Sequence, residues 1–219
     1  MKLHVCEIFQ AIQGEGKYVG TNVIFLRLSG CNLNCSFCDT KYHWSGKDME
    51  LKDVAEEIKK FNSKKIVITG GEPLSQQQAL TELFQENLDS SYHITVETNG
   101  TIMPDKIIPY IDHYACSPKL GTSGNDIDKR LDYDVLEYIN SKKDSIFKFV
   151  ISSDEDLDEV KFIENQVQID KEKIYLMKEG GTTEKQYHGI ANFLDVCLKN
   201  GYNFSPRLHV MIYDIKRGV

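Results

Sequence analysis

The sequence predicts an α/β protein with a parallel sheet covered by helices. Three observations carry that expectation. Short β-branched runs alternate with segments of helical periodicity over most of the 219 residues. About six strand–helix steps follow one another, which favours right-handed parallel crossovers. Glycine-bearing and polar motifs come directly after the strand-like runs, where an α/β sheet gathers its ligands. An open doubly wound sheet and a partial barrel both satisfy this pattern.

The elements follow in order. Residues 23–28, Val-Ile-Phe-Leu-Arg-Leu, read as the first strand. Apolar residues at 51, 54, 55, 58 and 61 predict a helix. The β-branched run 66–69 predicts a strand ending at Gly70-Gly71. A helix is expected at 76–84, a strand at 94–98, and a helix at 104–111 with Pro104 at its start. Residues 114–117 and 146–151 read as strands, with a helix at 133–140 between them. Acidic residues open a helix at 156–163. A strand at 174–177 and a helix at 184–199 come next, and 208–212 reads as a final extended segment.

Composition narrows the class. Hydrophobic residues are 41% and charged residues 27%, ordinary values for a folded chain, which argues against disorder. The length fits one domain, 1–219. A net charge of −7 argues against a nucleic-acid partner, which needs a basic surface. Residues 1–7 lose apolar character too early for a signal peptide, and no apolar run approaches a membrane span. A cytoplasmic location, without a membrane partner, is therefore expected. Thiols stay reduced there, so the six cysteines are not a disulfide framework.

Three of those cysteines are clustered in Gly30-Cys31-Asn32-Leu33-Asn34-Cys35-Ser36-Phe37-Cys38. Thiolates suit zinc or an iron–sulfur cluster. A zinc site ordinarily takes a fourth ligand, yet Cys6, Cys116 and Cys197 are scattered singly. Three residues between the first two cysteines and two between the last two form the radical S-adenosylmethionine (SAM) signature. Cys31, Cys35 and Cys38 would each hold one iron of a [4Fe-4S] cluster, and the fourth iron would stay open for SAM. Gly70-Gly71-Glu72-Pro73 supports this: glycine lets backbone approach a ligand, and the Glu72 carboxylate would accept from the SAM ammonium. By itself the segment is also just a turn.

The chain resembles the 7-carboxy-7-deazaguanine synthase family over nearly its whole length. The resemblance rests on Phe9-Gln10-Ala11-Ile12-Gln13-Gly14-Glu15-Gly16, Phe25-Leu26-Arg27-Leu28-Ser29-Gly30-Cys31 and Cys38-Asp39-Thr40. Thr69-Gly70-Gly71-Glu72-Pro73, Glu97-Thr98-Asn99-Gly100, Ser117-Pro118-Lys119 and Arg207-Leu208-His209 add to it. It implies a partial, modified radical SAM (βα) barrel with parallel strands. It implies ring contraction of 6-carboxy-5,6,7,8-tetrahydropterin with loss of ammonia, in queuosine-type deazapurine biosynthesis. The implied cofactors are a [4Fe-4S] cluster, SAM that is regenerated, and Mg²⁺. The implied partners are the carboxypterin, a reducing electron donor such as a flavodoxin or ferredoxin, and a second copy of the chain in a homodimer.

Site roles follow from the resemblance, motif by motif. Ile12, Gln13, Gly14, Glu15, Thr69, His209 and the last residue, Val219, would contact substrate. Arg27 would pair with its carboxylate, which the planar guanidinium fits bidentately. Phe37, Cys38, Asp39, Gly71, Glu72, Ser117, Pro118 and Lys119 would line SAM, with a further SAM-contacting strand end at 175–178. Thr40 would bind Mg²⁺; the rival role for its hydroxyl is to cap the next turn. Two other readings use the same cysteines: a glycyl-radical-enzyme activase that consumes SAM, and a non-enzymatic structural zinc protein.

Overall fold

The computed structural model describes residues 1–218. β1 (Lys2–Ile12) and β2 (Asn22–Leu28) form an antiparallel hairpin. β3 (Lys47–Glu50) pairs antiparallel with the outer side of β1 and runs directly into α1 (Leu51–Lys59). β4 (Lys65–Gly70), α2 (Gln77–Glu86), β5 (His93–Thr98) and β6 (His113–Cys116) follow. Next come α3 (Ile127–Arg130), α4 (Tyr133–Asn140), β7 (Ser145–Ile151), α5 (Asp154–Val167) and β8 (Ile174–Lys178). The chain closes with α6 (Thr183–Tyr187), α7 (Ile190–Asn200), β9 (Asn203–Phe204) and α8 (Leu208–Tyr213).

One sheet runs in the order β3-β1-β2-β4-β5-β6-β7-β8-β9, and every pair from β2 to β9 is parallel. Its two edges do not meet, so the barrel is partial, as the resemblance implied. The antiparallel corner was not anticipated. In β1 only Leu3 and Val5 are fully buried, so its sequence lacks clean alternation, and β3 is four mostly exposed residues.

Three expected elements differ. Residues 104–111 form only a 3₁₀ turn at Ile108–Tyr110 rather than a helix. Pro109 falls inside the segment and has no N–H to donate, so the β5–β6 crossover carries no helix. The single helix at 184–199 is two, broken at Gly189, whose φ of 66° only glycine adopts freely. Residues 208–212 are helical, not extended: Met211 N–H bonds Arg207 O at 2.9 Å and Asp214 N–H bonds Val210 O at 3.0 Å. A short apolar run does not distinguish the two by periodicity.

Period two divides the strands. Leu26, Leu28, Ile66, Ile68, Ile94 and Val96 face outward and pack with Val54, Ile58, Leu80 and Leu83 of α1 and α2. Phe147, Phe149 and Leu176 do the same with Leu136, Ile139, Val160 and Ile163 of α4 and α5. Each such side chain contributes roughly 1.5–3 kcal/mol by leaving water. The alternate residues Phe25, Arg27, Thr69, Glu97 and Lys148 are thereby left for the concave face.

The loop 13–21 joins β1 to β2 and crosses that concave face. Gln13 N–H bonds Thr21 O at 2.8 Å, and Gly20 N–H bonds Gln13 O at 2.9 Å. Asp144, just before β7, anchors the far side of the loop. It accepts from Lys17 Nζ at 2.6 Å and Tyr18 Oη at 2.5 Å, and faces His113 Nδ1 at 3.1 Å. Burial opposes its charge, but these partners hold the carboxyl down at about 2.

Candidate active site

A cavity of about 670 Å³ opens at the carboxyl ends of the parallel strands. The loop after β2 brings Cys31, Cys35, Phe37, Cys38, Asp39 and Thr40 to its wall. The turns after β4 and β6 bring Gly71, Ser117 and Lys119. Ile12, Gln13, Gly14 and Glu15 enter from the β1–β2 loop, and Arg27, Thr69 and His209 complete the wall. Met177 and Lys178, from the strand end at 175–178, also line it.

The three thiols are half-buried and free. Burial pushes those of Cys31 and Cys38 up, so metal binding there displaces protons. Among the described residues no three His, Cys, Asp or Glu side chains converge on a single-ion site. A four-iron cluster with one open iron asks for a different arrangement: one thiolate on each of three irons, with N–H donors on the sulfurs. Those donors are present. Leu33 N–H lies 3.4 Å from Cys31 Sγ, Asn125 Nδ2 lies 3.3 Å from Cys35 Sγ, and the Thr40 amide serves Cys38. The donor set fits the cluster.

Opposite the cysteines lies a buried ion network. Lys148 Nζ bridges Glu15 Oε2 at 2.9 Å and Glu97 Oε1 at 3.2 Å. Its side chain is only 4% exposed, in the middle of β7. Arg207 reaches Glu15 Oε1 with Nε at 3.3 Å, Gly180 O with one terminal nitrogen at 2.8 Å, and Asp39 with the other. Burial disfavours the Glu15 charge, yet Lys148 and Arg207 hold its carboxyl well below the usual range. The two carboxylates in turn overcome burial to hold the Lys148 ammonium up. Glu97 also accepts from Gln13 Nε2 at 3.2 Å and Thr69 Oγ1 at 2.9 Å.

His209 packs against Gly14. A Cβ on Gly14 would sit 2.4 Å from His209 Nδ1, so glycine is required there. Burial pushes the imidazole down and keeps it neutral at neutral pH. Arg27 donates from Nε to Glu7 Oε1 at 2.7 Å, directly across the β1–β2 ladder. Among the described residues nothing hydrogen-bonds its two terminal nitrogens, which leaves a planar fork at the cavity wall. Lys119 Nζ donates to Ser117 Oγ at 2.8 Å. Thr40 Oγ1 donates to Asp39 Oδ1 at 2.6 Å and does not cap the following turn, which removes the capping role.

Two expected wall residues are off the wall. Glu72 is fully buried. It accepts from Leu74 N–H at 3.0 Å, Thr98 Oγ1 at 2.9 Å and Asn99 N–H at 2.7 Å. Its carboxylate therefore staples the ends of β4 and β5 instead of facing the cavity. Pro118 is buried between Ser117 and Lys119, which do line it. Val219 lies outside the described residues. Sequence reading assigned no roles to Glu97, Lys148 or Arg207. Lys148 had a visible cue: a lone cation at the centre of Ile146-Phe147-Lys148-Phe149-Val150.

Comparison with known proteins agrees with this geometry. The Radical SAM superfamily profile matches residues 26–150. A 7-carboxy-7-deazaguanine synthase of Hyperthermus butylicus is 33% identical, covering 96% of this chain and 92% of its own. Those of Pyrobaculum aerophilum and Clostridium acetobutylicum are 31% and 30% identical, the latter over the full length of both chains. Among solved structures, QueE from Escherichia coli superposes with a TM-score of 0.73 at 24% identity, covering 94% of this chain and 93% of that one, a likeness of fold.

Replacing Lys148 by Met leaves Glu97 without its cation and Glu15 with Arg207 alone. Loss of one partner from a buried ion pair costs about 3–5 kcal/mol. Lys148→Met is expected to lower the thermal midpoint at pH 7, and lowering the pH to 5 should recover part of the loss as a carboxyl takes up a proton. A midpoint equal to wild type at pH 7 would show that the bridge is energetically idle.

Proposed function

This chain belongs to the 7-carboxy-7-deazaguanine synthase family of the radical SAM superfamily, and on that premise we propose that it contracts 6-carboxy-5,6,7,8-tetrahydropterin to 7-carboxy-7-deazaguanine with loss of ammonia. The observation that carries this reading is the meeting, in one cavity, of the three-cysteine loop with a charged, hydrogen-bonding wall suited to a polar heterocyclic acid. Such relatives do not favour a glycyl-radical activase or a structural zinc protein. The product enters queuosine-type deazapurine biosynthesis, and residues 1–219 act as one radical SAM domain.

Cys31, Cys35 and Cys38 would hold the [4Fe-4S] cluster, which together with bound SAM would supply one-electron radical chemistry. Phe37, Asp39, Gly71, Ser117 and Lys119 bound the SAM side of the cavity. Arg27 meets the substrate carboxylate with its terminal nitrogens. The backbone of Ile12, Gln13 and Gly14 and the side chains of Glu15, Thr69, Glu97 and His209 present donors and acceptors to the pterin ring. Lys148 and Arg207 balance the carboxylates of this wall, so the ring enters a site whose dipoles are already fixed. Glu72 acts indirectly, by holding the turn that carries Gly71.

A reducing donor of the flavodoxin or ferredoxin type, a homodimer and a cytoplasmic location complete the reading. No described helix is long and apolar enough to cross a membrane. Light scattering of the purified enzyme tests the dimer, which a monomer mass would refute. Cell fractionation tests the location.

The deciding assay incubates reduced, iron-reconstituted protein with SAM and the carboxypterin under anaerobic conditions. The deazaguanine product should form with catalytic SAM, and Cys35→Ala should form none. Accumulation of 5′-deoxyadenosine in step with turnover would instead support an activase-like use of SAM.

Arg27→Lys keeps the charge but loses the fork. One charge-assisted bond is worth about 1.5–3 kcal/mol, so KM for the carboxypterin should rise roughly tenfold to a hundredfold with SAM binding preserved. An unchanged KM would remove Arg27 from substrate recognition.

Thr40 would hold Mg²⁺ together with oxygens of the substrate, because one hydroxyl is a poor site for a hard octahedral cation. Wild type should gain rate across a Mg²⁺ titration, and Thr40→Val should be slower and far less responsive. Equal responses in the two proteins would exclude Thr40 as a ligand.

A further inference from the structure

Asn125 lies in the loop after β6 and reaches back to the cysteine loop. Gly124, at φ 77°, turns the chain so that the next side chain faces Cys35. Asn125 Oδ1 accepts from Asn34 N–H at 3.0 Å. Its Nδ2 donates to Cys35 Sγ at 3.3 Å and to Ser123 Oγ at 3.2 Å. The amide orientation is fixed by chemistry, because a flip would set Nδ2 against the Asn34 N–H, donor against donor. The surroundings are also pinned. Ser36 N–H bonds Ser123 O at 2.9 Å, Ser36 Oγ bonds Thr122 O at 3.1 Å, and Ser123 is fully buried.

Cys35 therefore differs from its two companions. Cys31 takes a backbone amide, Leu33 N–H at 3.4 Å, and Cys38 takes the Thr40 amide, while the Asn99 side chain lies 4.0 Å from Cys31 Sγ. The closest side-chain donor on a cluster sulfur is thus Asn125. An N–H aimed at a ligating thiolate stabilises the cluster most when it carries an extra electron. Hydrogen bonds to sulfur are one of the levers that set the potentials of such clusters.

We propose that Asn125 is a positioning and tuning residue that raises the reduction potential of the cluster held by Cys31, Cys35 and Cys38; this rests on the radical SAM reading of the site. The couple concerned takes one electron from an external reductant, and no protein bond forms or breaks.

The test compares reconstituted wild type, Asn125→Asp and Asn125→Ala. Iron and sulfide are assayed, and the reduced cluster is followed by electron paramagnetic resonance through a potentiometric titration. Asp retains the acceptor for Asn34 N–H, so it preserves the loop tie while removing the donor. Both variants should keep wild-type iron content and titrate at a more negative midpoint, Asp the further because it adds charge. Equal midpoints in the three proteins would overturn the proposal. So would loss of iron from both variants, which would make Asn125 a holding residue rather than a tuning one. Wild type that takes up no cluster would refute the radical SAM reading itself, a failure that iron analysis separates from the other two.

Discussion

The bridge from Lys148 to Glu15 and Glu97 is the interaction on which the site depends. An open sheet has no hydrogen-bonded closure between its first and last strands. Here the β1–β2 loop spans the concave face, and Lys148 from β7 clasps it. Glu97 joins β5 to the same ammonium. The loop is secured on either side of Glu15 as well, since Gly14 O accepts from Leu208 N–H at 3.0 Å and Gly16 N–H donates to Ser205 Oγ at 2.8 Å. Charges buried this deeply are tolerated only when paired and hydrogen-bonded. The pairing therefore fixes the loop that presents Gln13 and Gly14 to the cavity.

The same network couples the two halves of the cavity. Arg207 touches both Glu15 and Asp39, and Asp39 follows Cys38 directly. A shift of the cysteine loop would thus disturb the partner set of Glu15. On the other flank, Asn125, Ser36 and Ser123 tie the cysteine loop to the turn after β6 that carries Lys119. The cysteine loop is held from both sides by polar contacts rather than by an apolar core. Such contacts specify geometry well in a partly buried setting.

Much of this was readable from residue order. The strands at 23–28, 66–69, 94–98, 146–151 and 174–177 announce themselves because β-branched residues leave one face uniformly apolar. The cysteine loop and the Gln13-Gly14-Glu15 segment, both singled out in the sequence, line one cavity. What escaped was long-range or two-sided. β1 alternates poorly because neither of its faces is uniformly buried. The helix at Leu208–Tyr213 gains its conformation from neighbours, among them Thr183 Oγ1, which donates to Val210 O at 2.8 Å. Lys148 was passed over because its partners lie 133 and 51 residues away in sequence.

Glu72 shows why carboxylates were the hardest residues to place. In sequence, Glu72 beside two glycines looks at least as much like a ligand-facing group as Glu15 or Glu97. The difference lies in the chemistry of the partners. Glu72 meets neutral donors from Leu74, Thr98 and Asn99, and burial, the dominant influence, raises its pKa in spite of them. Glu15 meets two cations, which overcome a comparable burial and keep it ionised. Glu72 ties its turn to β5 through three hydrogen bonds from neutral donors and acts there as a structural staple. A carboxylate held by cations beside a cavity sits in a field that a charged or polar ligand can join. Position next to a motif does not separate these cases; the sign of the surrounding charge does.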